Sequence, residues 1–409
     1  MSVARDLIEK IASFGKQEDG ACSRPFGSQA YRQAAVCLRD LLAGEGFQGK
    51  MDPVGNVHGY YAGDGRTEKE LLLGSHLDTV TDGGKYDGLY GVAAAYEVMC
   101  RLKKEGVHLP FAIHLIATNG EEGNILGGTF GSRCLAGKFT EKDWENYQNL
   151  KLAKPLCLTE TESHSLDLQD IRDARMDFTK SLAYIEIHIE QGITLERTGK
   201  TIGIVTGIVG LRRYRITVKG KRNHSGTTKM KYRDDALVKA AKIILYADTL
   251  AGNYGEDFVA TTQKVQVRPN TLAVINGEVE MILEIRSIHA KFMDDYEEKL
   301  KAHFSVLQNV SMEAMVSKAP VQADPGIRAL MVEQCKELEI DYLEMPSGAT
   351  HDGNMMALQT PVAMVFVPSK GGISHEKAEW TAPEDLDRGV DVLYRVVTAL
   401  GEQRKAEEL

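Results

Sequence analysis

ELLLGSHLDTVTDGGKYDGLYGVAAAYEVMCRLKKEGVHLPFAIHLIATNGEEG, residues 70–123, decides the fold. ELLLGSH is a short apolar run that reads as a buried strand. GVAAAYEVMCRLKKEG (91–106) reads as a helix, and PFAIHLIAT (110–118) as the next strand. Strands alternating with helices point to an α/β domain with a mostly parallel sheet. Tyr31–Ala43 reads as a preceding helix. Residues 137–180 are polar and irregular with short helices, and SLAYIEIHIEQG (181–192) follows as a strand.

A second unit starts near residue 210. LRRYRITVKGK, DFVATTQKVQV, EVEMILEIRS and VSMEAMVSK read as strands, and DDALVKAAKIILYADTLAGN and AKFMDDYEEKLKAHFSVL as helices. Their order, β-α-β-β-α-β, predicts a ferredoxin-like α+β insert. After about residue 320 the α/β character returns with PGIRALMVEQCKELE, PVAMVFVP and PEDLDRGVDVLYRVVTALGEQRK. The expected organisation is one α/β domain, residues 1–209 and 320–409, interrupted by a smaller domain, 210–319.

The 409 residues suffice for a real core. A net charge of −9 argues against nucleic acid as the main partner, because a phosphate-binding surface needs clustered Lys and Arg. The six cysteines form no CxxC pair and fit reduced thiols in a cytoplasmic protein. The N-terminal MSVARDLIEKIASFGKQ is spaced like an amphipathic helix rather than a signal peptide. No run of about 18 apolar residues predicts a membrane helix.

Polar clusters sit where strands end, the place where open α/β sheets build sites. His76 and Asp78 follow the leucine run, and Asp87 lies in the glycine-rich GGKYDG. Glu121 and Glu122 follow the strand ending at Thr118; His375 follows PVAMVFVP. In AYIEIHIEQG, isoleucines alternate with Glu186, His188 and Glu190, which fits a solvated edge strand or a strand presenting a histidine to a metal. His58, His108, His114, His164, His289 and His303 read as ordinary core or surface residues. Co-occurrence of His76, Asp87, Glu122, His188 and His375 makes a mixed set suited to two divalent ions, with zinc favoured by imidazole and manganese tolerated.

Taken in order, GSHLDTV, GGKYDG, EEG…GSR, HIEQG, RNHSGTT, RPN, the EIR stretch, SGATHDGNMMA and GGISH resemble the M20 metallopeptidase/amidohydrolase family over nearly the whole chain. HIEQG and SGATHD resemble its carbamoylase branch, the N-carbamoyl-L-amino acid hydrolases, β-ureidopropionases and allantoate amidohydrolases. The resemblance implies a di-metal catalytic domain and a lid and dimerisation role for the insert. His76 and His188 would bind one ion, Glu122 and His375 the other, and Asp87 would bridge them. Zinc leads, with manganese, cobalt or nickel as substitutes. Glu121 would be the general base, and Asp78 would orient His76. His224 would act in the partner subunit's site of a homodimer, polarising the scissile carbonyl. Asn270 and Arg286 would hold the substrate carboxylate, whose planar match to guanidinium favours Arg. An unassisted reading pairs Arg286 instead with Glu284 or Glu280. Gln191 would read the substrate near the metals, and His351 would lie at the pocket wall beside Asp352.

Relatives commonly read TNEEG where this chain reads TNGEEG, and HAGTT where it reads HSGTT. The implied reaction is hydrolysis of a linear C–N amide bond in a small N-carbamoyl or ureido acid: an N-carbamoyl-L-amino acid, N-carbamoyl-β-alanine or allantoate. Its rivals are a dipeptidase or aminopeptidase, an N-acyl-amino-acid deacylase, and a non-catalytic metal-binding relative. No nucleic acid or membrane partner is expected.

Overall fold

The computed structural model describes residues 2–152, 156–159 and 164–407. In it the opening stretch is a strand Glu70–His76, a helix Leu89–Glu105 and a strand Ala112–Thr118. The two strands pair in parallel from Glu70↔Ala112 to His76↔Thr118. A parallel pair needs a long crossover, and the helix supplies it. The helix begins at Gly88 (φ 67°) and ends on left-handed Gly106 (φ 66°), whose N–H satisfies the last carbonyls.

These elements belong to a unit comprising Met1–Thr206, Ala323–Met345 and His351–Leu409. Its sheet runs Gln48–Met51, Val57–Tyr61, Ala112–Thr118, Glu70–His76, Ser181–Ile189, Val362–Val367, Ile202–Ile208. The four strands Ala112–Thr118, Glu70–His76, Ser181–Ile189 and Val362–Val367 are parallel, and the flanking strands are antiparallel. Leu71, Leu73, Ile185, Ile187, Ile189, Val365 and Val367 bury their side chains with the helices' apolar faces in one core. Each such side chain contributes about 1.5–3 kcal/mol by leaving water.

AYIEIHIEQG is therefore not a solvated edge. Ser181–Ile189 lies between Glu70–His76 and Val362–Val367, and Glu186 and His188 are each only 1% exposed. The strand also stops three residues before the expected end. Glu190 turns its carboxylate onto the N–H groups of Thr194 (2.7 Å) and Leu195 (2.9 Å), which starts the next helical turn.

The second unit, Gly207–Gln322 with Pro346–Thr350, holds a four-stranded antiparallel sheet. Its order is Val310–Lys318, Gly210–Lys219, Glu278–Ser287, Phe258–Arg268. With helices Ala236–Ala251 and Ala290–Ser305, this is the split β-α-β arrangement of a ferredoxin-like fold. Ile216, Val218, Ile243, Met281, Leu283, Met293 and Tyr296 form its own core.

The strands Gln48–Met51, Val57–Tyr61, Ile202–Ile208 and Tyr342–Ser347 went unread in the sequence. QGKM, VHGYY and IGIVTGI carry glycine or polar residues that weaken the local β signal, and pairing with neighbours decides them. Among the described residues no helix is long and apolar enough to cross a membrane, and Cys22, Cys37, Cys100, Cys134 and Cys335 are free thiols.

Candidate metal centre

His76 is the last residue of Glu70–His76, and His188 lies near the end of the adjacent Ser181–Ile189. Parallel strands deliver both imidazoles to the same, carboxyl end of the sheet. The Nδ1 of His76 lies 3.0 Å from the Asp78 main-chain oxygen, and that of His188 lies 2.8 Å from the Ile189 oxygen. Each Nδ1–H is thus engaged by a carbonyl, so both Nε2 atoms face one point as acceptors, that of His188 also lying 3.1 Å from the Gly88 N–H. Gly88 is required here: a Cβ at that position would lie 2.4 Å from the His76 ring.

Asp87 precedes that glycine. Its Oδ1 lies 3.4 Å from His76 Nε2 and 3.1 Å from His188 Nε2, and the two nitrogens are 3.5 Å apart. Buried Oδ1 accepts no hydrogen bond among the described residues. Donors about 2.0–2.1 Å from a shared tetrahedral zinc stand roughly 3.3 Å apart, so the triangle has the dimensions of a cation site. The other carboxylate oxygen, Oδ2, lies 3.0 Å from His375 Nε2, which lies 3.1 Å from Glu122 Oε1. Two donor groups thus meet at one carboxylate: His76–Asp87–His188 and Asp87–Glu122–His375. Orphaned oxygen, facing lone pairs and matching spacing fit divalent cation binding.

Charge in this cluster is finely balanced. Burial opposes a negative Asp87, but His188, His375 and His76 outweigh it and hold its carboxyl well below the usual range. Asp87 and Glu122 push His375 up to about 10. Burial, together with Glu122, Asp352 and Asp78, drives Glu121 well above the ordinary carboxyl value despite the opposing His76. A raised value is the direction in which a carboxylate gains basicity for general-base work.

Asp78 departs from the expected contact. Its carboxylate is 3.8 Å from His76 Nδ1, beyond hydrogen-bond range, and the main-chain carbonyl does the orienting. The carboxylate instead accepts N–H groups from Gly120 (2.9 Å), Glu121 (3.1 Å) and Glu122 (3.2 Å). Three successive amides around one anion form a nest. It secures the TNGEEG turn, in which Gly120 takes φ +71°.

Other expected residues of this unit are also here. Gln191 donates Nε2–H to Asp87 Oδ2 at 2.9 Å and lies 3.3 Å from His375 Nε2. Gln191 and His375 both adopt left-handed backbone (φ 56° and 59°), uncommon for non-glycine residues and frequent at functional sites. His351 is buried with its ring 4.7 Å from that of His188. Its neighbour Asp352 accepts the hydroxyls of Thr118 and Ser132. Glu186 accepts Ser75 Oγ–H at 2.7 Å, and burial pushes it up to about 7.

Glu379 and Ser374 were missed. Glu379 Oε1 accepts the N–H groups of Tyr86 (2.8 Å) and Asp87 (3.1 Å); Oε2 accepts Ser374 Oγ–H (2.9 Å). Ser374 Oγ also lies 3.2 Å from Asp87 Oδ2. Together they fix the shared carboxylate from behind. The only sequence hint is their adjacency to His375 in SHEKAEW.

His224, Asn270 and Arg286 belong to the other unit. His224 is exposed on a two-residue strand paired with Val274–Ile275, and its Nδ1 accepts N–H from Gly226 (3.0 Å) and Thr227 (3.2 Å). That leaves the neutral ring's proton on Nε2, as a donor. Asn270 is exposed, with its N–H on Asn276 Oδ1 at 2.9 Å. Arg286 is not idle: Nε and Nη2 both lie 2.9 Å from Glu284 Oε1, the pairing the unassisted reading anticipated. Arg213 takes Glu284 Oε2, so two guanidiniums share one carboxylate and one positive charge remains.

The sequence profile of peptidase family M20/M25/M40 matches residues 72–399. An allantoate amidohydrolase from Bacillus subtilis (strain 168) is 32% identical over 401 residues, covering 96% of each chain. An N-carbamoyl-L-amino acid amidohydrolase from Geobacillus stearothermophilus is 32% identical over 403 residues, covering 97% of each. The solved structure of a hydantoinase/carbamoylase-family amidase from Burkholderia multivorans superposes with a TM-score of 0.84 at 27% identity, covering 96% of each chain.

Proposed function

The chain belongs to peptidase family M20/M25/M40, and from that premise we propose that it hydrolyses a linear, non-peptide C–N bond in a small N-carbamoyl or ureido acid. The observation that carries the reading is Asp87, whose two oxygens serve two separate groups of donors, with Glu121 grouped beside them with His76 and Glu122. The substrate class is an N-carbamoyl-L-amino acid, N-carbamoyl-β-alanine or allantoate; the first and last are the substrates in the relatives' names.

His76, His188 and Asp87 would hold one divalent ion, and Asp87, Glu122 and His375 a second. Zinc suits the imidazoles best, with manganese, cobalt or nickel as alternatives. Such ions supply Lewis acidity, acidifying water and polarising a carbonyl. The protein's own residues do the rest. Glu121 takes the proton of the attacking water and returns it to the leaving nitrogen. Asp78 holds the Glu121 turn through three amides. Gln191 donates toward the reacting group from its seat on Asp87. His351 forms pocket wall.

His224, Asn270 and Arg286 bind substrate. His224 Nε2–H suits a developing oxyanion, and Arg286, steadied by Glu284, suits the carboxylate. In a homodimer His224 serves the partner's site. His224→Ala and Arg286→Ala subunits, each inactive, then regain partial activity when mixed and exchanged; no recovery would assign both to one subunit's site. The cytoplasm is the compartment that fits the reduced thiols.

Ammonia release tests the reaction, after chelation and after return of zinc, manganese, cobalt or nickel. The panel is allantoate, N-carbamoyl-β-alanine and several N-carbamoyl-L-amino acids, with N-acetyl amino acids and a dipeptide followed by amine release. Metal-restored turnover of a ureido acid is expected. Turnover of only acetyl or peptide substrates would move the protein to the deacylase or peptidase reading.

A further inference from the structure

His58 and His114, ordinary core histidines by sequence, form a buried row with two carboxylates. His58 Nδ1 lies 2.9 Å from His114 Nε2. His58 Nε2 lies 3.3 Å from Asp52 Oδ2, and His114 Nδ1 lies 3.1 Å from Glu70 Oε2. His58 sits on Val57–Tyr61 and His114 on the neighbouring Ala112–Thr118, so strand pairing brings the rings together. Both rings are almost wholly buried.

Count the protons. An ionised carboxylate only accepts, so His58 Nε2 and His114 Nδ1 must both carry hydrogen. A neutral imidazole has one N–H. With both rings neutral, the inner nitrogens would face each other as two lone pairs across 2.9 Å. A third proton between them satisfies all three contacts. The alternative, a protonated Glu70 donating to His114, is disfavoured because that contact holds Glu70 below its ordinary value against the effect of burial.

The row does not end at Asp52. Asp52 Oδ1 accepts the N–H groups of Val54 (3.1 Å) and Asn56 (2.8 Å), and Oδ2 accepts Asn56 Nδ2–H (2.7 Å). Asn56 Oδ1 accepts the Asn119 N–H at 2.9 Å, and Asn119 Nδ2–H returns to the Val54 carbonyl at 2.8 Å. Asn119 opens the turn that carries Glu121 and Glu122.

We propose that His58 and His114 share a single proton as an imidazole–imidazolium pair, and that this pair positions the catalytic turn through Asp52, Asn56 and Asn119. A second proton is resisted: burial, and then the charge of His58, push His114 down to about 4 although Glu70 pulls the other way. The titratable and charged groups facing the pair are Asp52, Glu70, the Tyr60 ring stacked on His114 at 4.0 Å, Lys50 over Tyr60, and Lys180 beside Glu70. The pair therefore carries one proton between its inner nitrogens; loss of that proton leaves lone pairs opposed across 2.9 Å and Asp52 free to shift. The name "catalytic" for the turn rests on the role given to Glu121. The pair and its link do not, and neither readout below is turnover, so failure here is distinguishable from failure of that reading.

Histidine-selective 15N labelling of the full, zinc-loaded chain tests the proton count, with signals assigned by their loss in His58→Asn and His114→Asn. Three protonated nitrogens among the four ring positions are expected at neutral pH; two or four would overturn the shared proton. Amide exchange tests the positioning. Protection of the Asn119 N–H should fall about tenfold as the pair deprotonates, the equivalent of one buried hydrogen bond. His58→Leu with His114→Leu removes both partners together and should show no such step. Identical pH profiles in the two proteins would overturn the link to the turn.

Discussion

Asp78→Asn separates two ways in which a buried carboxylate can serve this centre. Asp78 Oδ1 holds Gly120 and Glu121, and Oδ2 holds Glu122. Asparagine keeps one oxygen and turns an NH₂ group toward the Glu122 N–H. One donor loses its partner, which costs about 1–3 kcal/mol, and the two surviving bonds fall from charge-assisted to neutral, about 1 kcal/mol each. Relief of a buried charge near Glu122 and Asp352 offsets part of this, leaving a net loss on the order of 1–3 kcal/mol. The turn moves, and a displacement of about 1 Å at a reacting group costs roughly 10²-fold in rate. A urea melt, kcat on the accepted substrate and a zinc titration should therefore show modest destabilisation and a rate loss of about two orders of magnitude. Affinity for the ion held by His76, His188 and Asp87 should change little, because the main-chain carbonyl of Asp78 orients His76. Wild-type kcat with metal affinity reduced about 10–100-fold would refute the reasoning and restore the carboxylate as the orienting group.

The metal-stripped protein should lose thermal stability as pH rises. His375 has its folded value raised from 6.5 to about 10, so its contribution is complete below 6.5 and disappears as pH passes 10. Thermal melts of chelated protein check this, and a flat profile would remove His375 from the cluster's charge balance. Glu379→Gln should weaken zinc binding about 10–100-fold in competition with a chelator, because it disturbs the support of Asp87; unchanged affinity would make Glu379 merely structural. Ile185→Ala should cost about 2–5 kcal/mol in urea melts while leaving zinc affinity intact, because Ile185 packs in the core. A coupled loss of zinc would mean that the two faces of that strand are not independent.

Chemistry and local pattern were legible in the chain. Glu70–His76 and Leu89–Glu105 announce themselves because apolar spacing follows the period of the element. EVEMILEIRS and VSMEAMVSK likewise became strands over the residues read, 278–287 and 310–318. Histidines and carboxylates following the strands mark His76, Asp87, Glu122, His188 and His375 as a candidate set in the chain itself. Tertiary structure decided the rest. Whether Glu186 faced water depended on which strands flanked it. The support of Asp87 came from Glu379, 292 residues away. The carboxylate of Asp78 chose a nest of amides over an imidazole two residues back. His58 and His114 became partners only when their strands paired. Periodicity is a short-range property set by each residue's own backbone and neighbours. Burial, charge pairing and the sharing of a proton depend on groups that only the folded chain brings within hydrogen-bond distance.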